Sequence, residues 1–292
     1  MKIASLFAEK TVFSFEIFPP KKTSPIETVY DTLEALQGLH PDFISVTFGA
    51  GGSGNGENTL AIARRLKERY GVLPMAHLPC IHYAKAQIDQ ILEQFQENGI
   101  ENILALRGDR VEGLTPTTDF DHAADLIRYI RSKTGSFDIA GACYPECHPE
   151  APNMDTDIRH LKEKVDAGAS HLITQLFFDN DSFYDFRYRA ARAGVNVPIE
   201  AGIMPVTNRK QIERMVTMCG ASLPRKFTKM VQRFEDNPDA LRDAGIAYAI
   251  DQIVDLVTDG VDGIHLYTMN NPYVARKISE AVGGIIKAAT KC

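Results

Sequence analysis

Apolar and polar positions alternate with period two in short runs and with a period near 3.6 in longer ones, and the two kinds of run take turns along the chain. The clearest short run, Val12-Phe13-Ser14-Phe15-Glu16-Ile17-Phe18, puts Phe13, Phe15 and Ile17 on one face of a strand and Ser14, Glu16 and Phe18 on the other. Pro19-Pro20 stops it, because proline has no N–H to give to a ladder. Further strands are predicted at 43–49, 73–80, 102–109, 138–144, 171–178, 199–206 and 263–269. The amphipathic runs predict helices between them at 25–39, 57–70, 84–98, 121–133, 154–167 and 182–193. After the seventh strand come helices near 209–218, 224–234 and 238–258, and a last one at 272–288. Ser24 is the expected N-cap of the first helix with Pro25 at its first turn, and Gly99 closes the third.

Two architectures accommodate eight strands alternating with helices, a doubly wound open sheet and a closed barrel. The strand count, the near-regular spacing and a length of 292 residues favour the barrel, which typically needs ~250. The expectation is therefore an α/β protein, a (β/α)8 TIM barrel, forming a single domain over 1–292. Barrel strands carry functional groups at their C-terminal ends. Glu16, Thr47, His77, Arg107 with Asp109, Tyr144, Gln175, and His265 with Tyr267 stand near the ends of seven of the predicted strands. Polar side chains in such places cost free energy unless paired, so their recurrence points to an enzyme.

Composition narrows the classes. A formal net charge of −6 without a Lys/Arg-rich block argues against nucleic acid and anionic membrane as partners. No apolar run reaches the ~20 residues that span a bilayer, and the first residues lack the apolar centre of a signal peptide, so a cytoplasmic location is expected. The 5 cysteines are scattered and odd in number, which predicts reduced thiols. Cys143-x3-Cys147-His148 has no second cluster to complete a tetrahedral set, so no metal is expected.

Glu16 has two readings, a protonated acid walled by aromatics or a partner of a surface cation. Burial penalises the charged form of such a group, which is how enzymes keep a carboxylic acid protonated near neutrality. The glycine-dense loop 49–56 lacks a Gly-x-Gly-x-x-Gly fingerprint, so a tight turn suits it better than a phosphate cradle. In the run from Asn153 to Val165, Ile158, Leu161 and Val165 form one stripe while Asp157, His160 and Lys164 line another. That second stripe is either a cofactor contact or a solvated face.

Seven ordered motifs together resemble the bacterial methylenetetrahydrofolate reductases. They are Phe15-Glu16-Ile17-Phe18-Pro19-Pro20-Lys21, Ser45-Val46-Thr47-Phe48-Gly49-Ala50-Gly51-Gly52, Ala76-His77-Leu78, Ala105-Leu106-Arg107-Gly108-Asp109, Tyr144-Pro145-Glu146-Cys147-His148-Pro149-Glu150, Lys164-Val165-Asp166-Ala167-Gly168-Ala169 and Ile173-Thr174-Gln175. The resemblance implies a flavin-containing barrel in which NADH or NADPH reduces FAD and the flavin reduces 5,10-methylenetetrahydrofolate to 5-methyltetrahydrofolate. It implies Glu16 as the general acid that opens the methylene bridge and Asp109 as an acidic group beside flavin and pterin. It further implies Thr47, His77, Arg107, Gly108, Asp109, Tyr144, His148, Asp157, His160 and Lys164 as FAD contacts, and Gln175, Gln211 and Tyr267 as substrate contacts beside Glu16 and Asp109. The sequence departs from the family at Met269-Asn270-Asn271, where Leu-Asn-Arg is usual, and at His160, where an amide is usual. A homo-oligomer is expected. The readings that compete are a partner-dependent subunit fed by an electron-donor protein, and a pterin-binding methyltransferase barrel.

Overall fold

The computed structural model describes all residues except 22, 49–55, 111, 112, 114, 209–211, 213, 214, 217, 218 and 290–292. The run that opens the pattern becomes β1 (Val12–Ile17), which pairs in parallel with β2 (Phe43–Val46) on one side and β8 (Gly263–Tyr267) on the other. Between these lie β3 (Leu73–Pro79), β4 (Asn102–Leu106), β5 (Asp138–Cys143), β6 (His171–Thr174) and β7 (Ile199–Ile203). Each pairs with its sequence neighbours, and the sheet closes on itself as a barrel. The described helices are α1 (Glu27–Ala35), α2 (Glu57–Tyr70), α3 (Lys85–Glu97), α4 (Ala123–Lys133), α5 (Met154–Asp166), α6 (Asn180–Arg192), α7 (Arg225–Phe234), α8 (Pro238–Thr258) and α9 (Pro272–Ala288). The (β/α)8 barrel expected from the alternation is the observed fold.

The strands end one to four residues before their apolar runs do, because ladder pairing stops where the loops of the barrel mouth begin. Ser24 does not cap α1, contrary to expectation. Its backbone N–H donates to Lys21 O, the helix starts at Glu27, and Thr28 Oγ1 donates back to Pro25 O at 2.8 Å. Gly99 does close α3, with φ of 62°. The expected helix near 209–218 and most of the glycine-dense loop lie outside the described residues.

Side-chain alternation sorts the residues into two environments. Phe13, Phe15, Ile17, Ile44, Val46, Ala201, Ile203, Ile264 and Leu266 point outward to the helices and form one continuous apolar layer with them. Inside the barrel, Phe43, Met75, Leu104, Ala140 and Ile173 pack on Ile3, Leu6 and Phe7 of a short 3₁₀ turn, Ile3–Ala8, which closes the bottom. The floor is thus largely apolar, its buried Asn102 and Asp138 accepting from the backbone of that turn and His171 lying against Phe7. The inward positions of β1, β2, β3, β7 and β8 are different: Ser14, Glu16, Ser45, His77, Glu200 and His265 are all buried and polar. A largely apolar floor and a polar upper interior together direct chemistry to the C-terminal mouth.

Candidate active site

Glu16 occupies the penultimate position of β1, opposite Ser45 of β2 and Tyr267 of β8. It is only 7% exposed. Its Oε2 lies 3.5 Å from Nε2 of His77 and 3.7 Å from Nε2 of His265. Among the described residues no lysine or arginine pairs with it, so the surface ion pair that the sequence left open is not what the fold builds. Thr268 Oγ1 donates to the Glu16 carbonyl at 2.6 Å and locks the backbone that carries the side chain. The neighbouring turn is tied by Asn270, whose amide accepts from Phe18 N at 2.9 Å and donates to Phe18 O at 2.8 Å. Asn271 caps α9 by accepting from Val274 N.

Burial dominates the electrostatics of this arc. His77 is lowered from 6.5 to about 4, first by desolvation, with Glu16 opposing and His265 adding to the shift. His171, deep in the barrel with its ring against Phe7, is lowered for the same leading reason. Both imidazoles are neutral in the folded protein, whereas the unfolded chain protonates them below its ordinary histidine pKa. Their contribution to stability is therefore present at neutral pH and is lost as pH falls from 6.5 toward 4. A loss on the order of 2 kcal/mol per group is expected. Urea midpoints measured across that window should fall, and fall less in His171→Asn; parallel curves for the two proteins would refute the assignment.

A second arc forms at the ends of β4, β5 and β6. Gly108, at φ of 87°, turns the chain after β4 so closely over β3 that an added Cβ would sit 2.9 Å from Pro79 Cβ. Asp109 stands exposed beyond it, and its carbonyl lies 3.0 Å from His82 Nε2. Arg107 is engaged in a two-pronged pair with Glu150, at 2.6 and 2.8 Å. The guanidinium holds the Glu150 carboxyl down at about 2. Glu150 N donates to His148 Nδ1 at 3.0 Å, His148 N donates to Asp157 Oδ2 at 2.8 Å, and the His148 ring meets Tyr144 edge-on with centroids 4.6 Å apart. Tyr144 in turn hydrogen-bonds Gln175, and burial raises its hydroxyl to about 12.

Most of the expected site residues therefore come together, in two arcs facing one mouth. Three do not follow expectation so simply. Lys164 turns its ammonium onto Ala142 O at 2.6 Å, and burial lowers its pKa. His160 lies exposed on α5, its ring stacked 6.2 Å from His122 at the start of α4. Gln211 is outside the described residues. Tyr267 is at the mouth, its hydroxyl donating to Thr174 O at 2.6 Å, in space left by Gly202, where a Cβ would meet the same carbonyl at 2.4 Å. Sequence reasoning missed Ser14, Ser45, Glu200 and Glu150. Ser14 shares the parity of Glu16 and could have been found; Glu200, a lone carboxylate inside an apolar strand, was the overlooked signal.

The sequence model of the methylenetetrahydrofolate reductase family matches residues 2–283. The 5,10-methylenetetrahydrofolate reductase of Pectobacterium carotovorum subsp. carotovorum is 39% identical over 92% of this chain and 89% of its own length. Methylenetetrahydrofolate reductase (NADH) 1 of Arabidopsis thaliana is 38% identical over 89% of this chain, which spans 46% of that longer protein. In fold, the chain is similar to an uncharacterized Clostridium thermocellum protein that binds two copies of 5-methyl-5,6,7,8-tetrahydrofolic acid, with a TM-score of 0.67 at 14% identity, covering 97% of this chain and 98% of that one. By family match and by identity over nearly its whole length, the chain belongs to the methylenetetrahydrofolate reductases.

Proposed function

We propose that the protein reduces 5,10-methylenetetrahydrofolate to 5-methyltetrahydrofolate with electrons from NADH or NADPH, using FAD bound at the barrel mouth and Glu16 as the acid. Membership in the family supports the reaction, and the folate ligand of the similarly folded Clostridium protein is in keeping with a pterin at this mouth. The observation that carries the reading is the buried Glu16 carboxyl at the mouth, set between the imidazoles of His77 and His265.

The residues at the mouth fit a flavin cofactor. Thr47 Oγ1 and His77 Nε2 are buried polar atoms without a hydrogen-bond partner, and both stand on inward positions near strand ends. Such atoms are costly unless a ligand satisfies them. Together with Gly108, Asp109, Tyr144, His148 and Asp157 they would hold FAD, with Arg107 as the cation that meets its diphosphate; Lys164, turned onto Ala142 O, and the exposed His160 stand outside that set. When bound, FAD supplies a hydride carrier between the nicotinamide and the folate.

The chain's own residues do the rest. The methylene bridge accepts hydride readily only as an open iminium, and opening needs a proton on the departing nitrogen. Glu16 delivers that proton, and its carboxylate then faces the cation across the site. His77, held neutral, adds no competing positive charge. Gln175 offers a donor and an acceptor to the pterin, and Tyr267 stands beside it with its hydroxyl on Thr174 O. Asp109, at the rim, opposes negative charge building on the reduced cofactor.

Anaerobic mixing of the holoprotein with NADH and with NADPH tests the electron source. Bleaching of the yellow colour by either is expected. If neither nucleotide bleaches it while dithionite does, the direct nicotinamide reading fails in favour of a donor protein.

A further inference from the structure

Beneath Glu16 the barrel encloses a line of polar groups that the proposed reaction does not use. Ser14 Oγ lies 2.6 Å from Nδ1 of His265 and 2.9 Å from Oε1 of Glu200. On its other side, Nε2 of His265 lies 3.3 Å from Ser45 Oγ and 3.7 Å from Glu16 Oε2. Ser14, Ser45, Glu200 and His265 are each 0% exposed. Glu200 faces no lysine or arginine among the described residues, and its Oε2 has no partner.

The direction of these bonds follows from what each group can do. Glu200 is fully enclosed with no lysine or arginine beside it among the described residues, and burial raises its pKa well above the usual carboxylate range. Both favour the neutral acid, whose O–H can donate to Ser14, over a carboxylate accepting from it. With the proton on Oε2, a buried O–H would be left without an acceptor. With the proton on Oε1, the orphan is a carbonyl-type lone pair, the cheaper and commoner defect. Glu200 then donates to Ser14, and the Ser14 hydroxyl, having accepted, donates to Nδ1 of His265. That leaves the imidazole proton on Nε2, facing Ser45 and Glu16.

We propose that Glu200 and Ser14 are positioning residues that fix His265 as the Nε2–H tautomer, so that a donor faces Glu16 when it becomes a carboxylate. This deepens the reading of Glu16 as the acid and rests on it. No proton leaves the line: Glu16 loses its own proton to the substrate nitrogen, and the N–H dipole of His265 stabilises the charge left behind. Close packing keeps the arrangement in place. Gly263 lies so near Glu200 that a Cβ there would be 2.7 Å from Glu200 Cγ, so the carboxyl has no room to swing away.

The test combines ¹⁵N-histidine NMR with separated half-reactions on the holoenzyme, using Glu200→Gln, Glu200→Leu and Ser14→Ala. The His265 signal is identified by its loss in His265→Gln. In the wild type, Nε2 of His265 is expected to be the protonated nitrogen. Glu200→Gln keeps a neutral donor to Ser14, so the tautomer stays and the folate half-reaction remains within about threefold of wild type. Glu200→Leu and Ser14→Ala release the tautomer and slow that half-reaction about 10- to 100-fold, without slowing flavin reduction by the nicotinamide. Ser14→Ala serves should Glu200→Leu fold poorly. The proposal is overturned by a wild-type Nδ1–H tautomer, by Leu and Ala variants that keep the Nε2–H form or the wild-type rate, or by Glu200→Gln failing as badly as Leu. The Glu16 reading fails separately, through a silent Glu16→Gln, and the NMR result still reports on the line itself.

Discussion

Glu16→Gln is expected to keep its flavin reduction by NADH or NADPH and to slow reduction of methylenetetrahydrofolate by about 10²- to 10⁴-fold, the usual contribution of a positioned general acid. The amide matches the carboxyl in size and can still contact His77 and His265, and the backbone bond from Thr268 to the residue 16 carbonyl is untouched. What the amide cannot do is release a proton to the departing nitrogen. Pocket shape and cofactor binding survive while the ring-opening step is lost, so the defect should appear in one half-reaction only. Stopped-flow measurement of the two halves decides it: a folate half-reaction within threefold of wild type removes Glu16 as the acid.

Gly245→Ala should destabilise the protein by about 3 kcal/mol or more, at the upper end for overpacking. Gly245 lies in α8 where the helix presses on the segment following β7. A Cβ there would sit 1.7 Å from Val206 O and 2.8 Å from the Val206 carbonyl carbon, and both are backbone atoms that no rotamer change can move. Relief requires shifting α8, whose Ile246, Ala249 and Ile253 are buried against the barrel. Gly283 and Gly284 in α9 supply the contrast. An added Cβ meets nothing within 4 Å at either, so alanine there should stabilise by roughly 0.5–1 kcal/mol through lower chain entropy. Urea unfolding of the three variants checks both signs, and a Gly245→Ala midpoint equal to wild type would contradict the close approach.

The two variants differ in how far the sequence announced them. Glu16 was legible because strand alternation and the following prolines fix which face it occupies, and the barrel rule says what that face meets at its C-terminal end. Gly245 was not, since a glycine inside an amphipathic helix carries no local sign of the carbonyl packed against it. His77, Tyr144 and Gln175 were found for the same reason as Glu16: each stands on an inward position near a strand end. Lys164 and His160 share a helical stripe with Asp157, but a stripe gives only a direction. Whether a side chain on it reaches the mouth, turns to a strand carbonyl as Lys164 does, or stays in solvent as His160 does depends on the helix's rotation against the barrel.

Period-two and period-3.6 patterning therefore determined the elements, their alternation and the strand-end carboxylate, because these follow from interactions a few residues apart, and the count, spacing and length of the units favoured closure into a barrel over an open sheet. Tertiary structure alone decided the partners across the barrel. Ser14, His265 and Glu200 lie as far as 251 residues apart in sequence and meet only because β1 closes between β2 and β8. Arg107 met Glu150 rather than solvent for the same reason. Contacts of that kind have no period to betray them, since they are set by register and closure and not by the local chain.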